Sequence, residues 1–182
     1  MKRLRGKLAL AVVAAGALAI GIVTVAVAGG GHNLRERLTG YQEVPALSTP
    51  GVGHFRASVN KAANEISYRL TYTGLETVAT QSHIHFENRT NNGPIVVFLC
   101  TNLGNGPAGT QACPPNGGTI SGTIRPADVG AGAASQGLAA GEFTELVRAI
   151  RAGATYVNVH TTGHPGGEIR AQLEDKKHGD KD

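Results

Sequence analysis

Four of the seven histidines in this chain have a type and spacing that bear on chemistry: His83 and His85, one residue apart, and His160 and His164 in a later run. Both stretches read as β-strand. Residues two apart in a strand point to the same face, so His83 and His85 project together while Ser82, Ile84 and Phe86 turn away. In the later run Val157 and Val159 point inward, which places Tyr156, Asn158 and His160 on the opposite face, with His164 on the turn beyond. Imidazole nitrogen is a good ligand for zinc and for copper, and three or four such nitrogens satisfy either ion. The metal reading requires the two histidine strands to be neighbours. The other reading keeps these side chains as hydrogen-bonding groups, held by buried carbonyls or by Glu168. Both stay open at the level of sequence.

The elements that would position these residues are nearly all strands. Leu34 to Val44 is strand-like and ends at Pro45, with a turn at Ser48 to Gly51. Gly53 to Asn60 alternates Phe55, Ala57 and Val59 against polar residues. Ile66, Tyr68, Leu70 and Tyr72 repeat the pattern after a turn at Lys61 to Asn64, as in a half-buried antiparallel strand. Thr80 to Phe86 carries the first histidines, Ile95 to Leu99 is a continuous apolar run, and Gly118 to Ile124 is a shorter strand. Phe143, Leu146, Val147 and Ile150 fall at i, i+3, i+4 and i+7 between Gly141 and Gly153, which predicts one amphipathic helix. Thr155 to His160 and Glu168 to Leu173 complete the set. Seven or eight short strands with one helix predict an all-β antiparallel sandwich or barrel.

The N-terminus is set apart from that fold. Lys2, Arg3, Arg5 and Lys7 precede an uncharged run from Leu8 to Ala28 that closes on Ala26, Val27 and Ala28 before Gly29. This is the pattern of a signal peptide over 1–28, cleaved before Gly29. The alternative is an uncleaved membrane anchor over 8–28, since the run is long enough to span a bilayer. The expectation is therefore a secreted or cell-surface protein, in contact with a membrane only if the segment stays attached. Of the 17 basic residues, four lie in that basic N-terminal stretch, so the chain from Gly29 onward balances its 13 acidic residues. The formal charge of +4 belongs to the targeting segment, and no nucleic-acid surface is indicated. Residues 29–33 form a glycine-rich linker, 34–173 the domain, and 174–182 a charged tail without an apolar residue, expected to be disordered.

Two cysteines, Cys100 and Cys113, flank a Gly-, Asn- and Pro-rich loop and are expected to close a disulfide in an oxidising compartment. Other constellations carry less. Glu43 reads as a strand-end residue or a buried, hydrogen-bonded carboxylate. Glu168 and Arg170 share a strand face and could pair. No serine sits in a Gly-x-Ser-x-Gly elbow, and no catalytic set of residues is identified.

Several of these segments, in order, resemble the CHRD domain: LTGYQEVP over 38–45, the His83–His85 strand, NGPIV over 92–96, and YVNVH over 156–160 followed by GGEIR over 166–170. That domain is named after chordin, an extracellular inhibitor of bone morphogenetic proteins, and also occurs in exported bacterial proteins. The resemblance covers 34–173 and implies an immunoglobulin-like β-barrel distantly similar to copper/zinc superoxide dismutase. It implies no settled activity. Superoxide dismutase draws copper ligands from a His-x-His strand and a late histidine. Its zinc site has no counterpart here, because no histidine lies between His85 and His160 and the one aspartate in that interval is Asp128.

The leading functional reading is a non-enzymatic extracellular binding module whose partner is a protein, a polymer or a metal ion, with His83, His85, His160 and His164 as the candidate copper or zinc ligands. The alternative is a mononuclear copper redox protein.

Overall fold

The computed structural model describes residues 32–62 and 64–174. The expected signal segment, most of the expected linker and the tail beyond Glu174 lie outside the described residues. Eight strands form one antiparallel sheet: β1 His32–Thr39, β2 Val52–Asn60, β3 Glu65–Thr73, β4 Ala79–Phe86, β5 Ile95–Thr101, β6 Gly118–Ile124, β7 Thr155–Thr161 and β8 Ile169–Leu173. Their order across the sheet is β5-β4-β7-β8-β1-β2-β3-β6. The sheet curls into a nearly closed barrel, and the single α-helix, α1, spans Phe143–Arg151. The all-β class with one short helix is as the periodicities predict.

The period-two strands behave as their sequences dictate. Phe55, Ala57 and Val59 on β2 and Ile66, Tyr68, Leu70 and Tyr72 on β3 are all buried, while the residues between them face outward. These alternate apolar faces drive the sheet to close on itself. The predicted helical stripe of Phe143, Leu146, Val147 and Ile150 is buried, so α1 adds its apolar face to the same core. The strands β7 and β8 are different: every residue on both is buried, on both faces. On one side they present Val157, Val159, Ile169, Ala171 and Leu173 to the core. On the other they bury Tyr156, Asn158, His160, Arg170 and Gln172, so a second, polar interior lies behind the sheet.

Two boundaries depart from the sequence reading. The first strand begins at His32, inside the expected linker, and stops at Thr39 rather than continuing to Val44. Beyond it Gly40–Gln42 forms a 3-10 turn, closed by Glu43 N–H donating to Gly40 O, and Val44–Pro45 is a cis peptide. Gly40 has no room for a side chain there, since a Cβ would lie 2.4 Å from Leu47 O. The tight packing of this turn against the Glu168 backbone ends the strand early.

The barrel seam falls between β5 and β6, and the loop between the two cysteines fills it. Cys100 and Cys113 are joined in a disulfide. The bridge fixes the loop so that the Gln111 side-chain amide reaches Leu99 O on β5 at 3.1 Å, Ser121 O on β6 at 3.3 Å and the Tyr68 hydroxyl at 2.9 Å. Tyr68 in turn donates to Leu99 O. Side chains thus span the gap that strand pairing leaves open. Among the described residues no helix is long and apolar enough to cross a membrane.

Candidate metal centre

Strands β4 and β7 are hydrogen-bonded neighbours, which meets the condition left open by the sequence. Antiparallel register sets His83 opposite Asn158, His85 opposite Tyr156 and Gln81 opposite His160. His160 is therefore the diagonal neighbour of His83 on the same face, close enough for their side chains to meet. The pairing of β4 with β5 slips between Ser82 and His83 and again between Ile84 and His85, so irregularities flank both histidines.

The three imidazoles converge. One ring nitrogen from each of His83, His85 and His160 lies within 4.8 Å of the others, and all three side chains are buried. His83 Nδ1 is 3.2 Å from His160 Nε2. The other ring atoms are fixed by backbone: His85 Nδ1–H donates to Gly93 O at 2.8 Å, and His160 Nδ1–H donates to Pro165 O at 2.9 Å. Such bonds set the tautomers of His85 and His160 and put the lone pair of each ring on Nε2, which in His160 faces His83 Nδ1. Gly93 must be glycine to bring its carbonyl in, because a Cβ there would fall 2.2 Å from Phe86 O. His83 Nε2 and His85 Nε2 are buried without a hydrogen-bond partner, a cost a protein rarely leaves standing without use.

Burial pushes the His83 imidazole down to about 2, helped by the neighbouring His160 and His85 rings. Burial likewise lowers His85 to about 4, against the Gly93 carbonyl, and lowers His160. At neutral pH all three are uncharged, the form that coordinates a metal. An ion holding its nitrogens at 2.0–2.1 Å keeps them roughly 3.5 Å apart, so the most distant nitrogens have to close by up to about 1.3 Å.

A layered stack backs the cluster. The Tyr156 ring lies parallel to His85, centroids 4.7 Å apart, and the guanidinium carbon of Arg170 sits 3.4 Å above the Tyr156 centroid. Phe98 packs edge-on against His83 at 4.5 Å. Arg170 is held by Asn92 Oδ1, Asn88 O and Asn91 O. Glu43 is buried nearby, its carboxyl pushed up to about 7 by burial against the attraction of Arg170, and its Oε1 has no hydrogen-bond partner.

Two sequence expectations do not hold. His164 is not with the other three: its Nε2 pairs with Glu76 Oε2 at 2.7 Å, because the turn after β7 carries it outward. Glu168 and Arg170 do not pair, since Glu168 precedes β8 and turns into the loops. There it accepts from Thr49 Oγ1, Thr161 Oγ1 and Glu76 N–H. Neither does Glu168 hold a histidine. Tyr156 was already on the His160 face by parity. Arg170 gave no comparable signal, because its partners come from the 88–92 loop.

The fold and the site together define an all-β barrel domain with a buried three-histidine cluster on its second interior. The chain belongs to the CHRD domain family, whose model matches residues 34–173. No curated protein and no solved structure matches it.

Proposed function

We propose that this CHRD domain is a non-enzymatic, exported binding module whose ligand is a transition-metal ion, copper or zinc, held by His83, His85 and His160. The observation that carries this reading is the convergence of three buried, neutral imidazoles, one ring nitrogen of each lying within 4.8 Å of the others. Export rests on the basic start, the apolar run and the Ala-x-Ala ending before Gly29.

Calorimetric titration of the exported protein with Cu²⁺ and Zn²⁺, paired with thermal melts, tests the reading. The expected result is one ion per chain, a higher melting temperature with metal, and loss of both in His83→Ala and His85→Ala. No heat and no melting shift in the wild type would remove the metal centre. The second reading, a mononuclear copper redox protein, is favoured by the Tyr156 ring stacked on His85. Superoxide turnover by the copper-loaded protein would replace the first reading with it.

A further inference from the structure

We propose that the three-histidine centre is built for the cuprous ion, Cu(I), in preference to zinc or Cu(II), and that Arg170, acting through Tyr156, enforces the preference. This rests on the metal reading above and adds the identity and charge of the ion.

Ligand type alone does not choose, because imidazole accepts copper and zinc alike. Coordination number does. Zinc sites take four ligands, three of them from protein at the least. Here the cluster among the described residues holds three nitrogens and no carboxylate. The histidine that would have supplied a fourth ligand, His164, is bound to Glu76. A trigonal set of three neutral nitrogens completes the coordination of Cu(I), whereas zinc on the same three nitrogens must recruit a water as its fourth ligand.

Charge points the same way. The site is buried and no ligand is anionic, so the whole charge of the ion must be carried by the protein interior. That cost rises steeply with ionic charge. Arg170 adds to it. Its guanidinium is buried over Tyr156, and Tyr156 lies flat on His85, so a fixed cation stands two stacked layers from the metal position. Its three hydrogen-bond acceptors are neutral: two loop carbonyls and the Asn92 side chain. Glu43 and Glu87 attract it, yet no carboxylate of the described residues forms an ion pair with it. A positive charge at that remove penalises a divalent ion by one more charge unit than a monovalent one, worth about tenfold at an effective dielectric near 20.

The test is an anaerobic competition of the full exported protein for Cu(I) against bicinchoninate, with parallel competitions for Zn²⁺ and Cu²⁺. The wild type is expected to hold Cu(I) at least tenfold more tightly than Zn²⁺. Asn92→Asp places a carboxylate against the Arg170 guanidinium from an exposed position, so it should narrow that ratio by about tenfold while circular dichroism stays unchanged. Arg170→Gln, if it folds, should do the same. His85→Ala should lose Cu(I) binding. Zinc or Cu(II) held as tightly as Cu(I) by the wild type would overturn the proposal and leave the metal centre standing. So would an unchanged ratio in folded Asn92→Asp, or Cu(I) binding that survives in His85→Ala. A wild type that binds none of the three ions overturns the metal reading and this inference together.

Discussion

His83 Nδ1 and His160 Nε2 lie 3.2 Å apart across the β4–β7 pair, a separation already close to that of two nitrogens on one ion. Without metal this contact joins two buried imidazoles that resist protonation, and the consequence is a definite dependence of stability on pH.

The metal-free domain should lose stability as pH falls. His83 and His85 are lowered to about 2 and about 4 in the folded state, so below the ordinary histidine value the unfolded chain takes up protons that the folded chain refuses. Their stabilising contribution is complete above roughly pH 6.5 and declines below it, by about 1.4 kcal/mol per pH unit for each ring. Glu43 works in the opposite sense, since a carboxyl raised to about 7 is protonated first in the folded state. The net loss between pH 7.5 and 5.5 should be about 1 kcal/mol. Urea denaturation of the metal-free protein at the two pH values measures it, and equal midpoints would show that the rings take up protons freely.

Glu43→Gln should stabilise the domain at alkaline pH. An ionised Glu43 is buried with an unpartnered Oε1, and the neutral amide removes that penalty. The gain should be on the order of 2 kcal/mol at pH 8 and near zero at pH 5. The same variant should steepen the acid loss described above, because the opposing group is gone. A gain at pH 5 equal to that at pH 8 would mean that ionisation is not the cause.

Replacing both Cys100 and Cys113 by Ser should cost about 3 kcal/mol, the loop-closure value for a loop of this length, and leave a folded barrel. Reduced wild type should match the double variant in urea. Gln111→Ala should cost a further 1–2 kcal/mol or so, since it strips the amide from acceptors on both seam strands. If Gln111→Ala melts like the wild type, the seam is held by other contacts.

His164→Ala should leave metal stoichiometry unchanged. Its pair with Glu76 is half-exposed, so the stability cost should be no more than about 1 kcal/mol. A titration in which His164→Ala loses the ion would return this histidine to the ligand set.

What was legible in the sequence follows from local geometry. The alternation of β2 and β3, the i, i+3, i+4, i+7 stripe of α1 and the shared face of His83 and His85 are all set by the repeat of one element. The convergence of His160 with that pair needed the register of β4 against β7, which no single strand carries. Arg170 was legible only as a strand residue sharing a face with Glu168, its candidate partner. Its seat over Tyr156 depends on the 88–92 loop, two strands away in the sheet. The early stop of β1 at Thr39 came from the crowding around Gly40, where the chain folds back through Leu47 and Thr49 and also meets Glu168. His164 was rightly placed on the turn beyond the strand, but the direction of that turn, which carries it to Glu76, is not set by any repeat of the sequence.

The closed seam also decides how the barrel meets other protein chains. A sheet whose first and last strands are not paired offers two rows of free backbone groups, a template on which further strands can add. Along β5 those groups are engaged: Gly130 N–H donates to Val96 O, the Gln111 amide covers Leu99 O, and Thr101 N–H donates to Gln111 O. The disulfide holds that cover in place as a covalent strap. The disulfide-bound loop and the segment around Gly130 together protect the barrel against edge-to-edge polymerisation, and opening the loop would uncover the Leu99–Thr101 end of that edge to further strands.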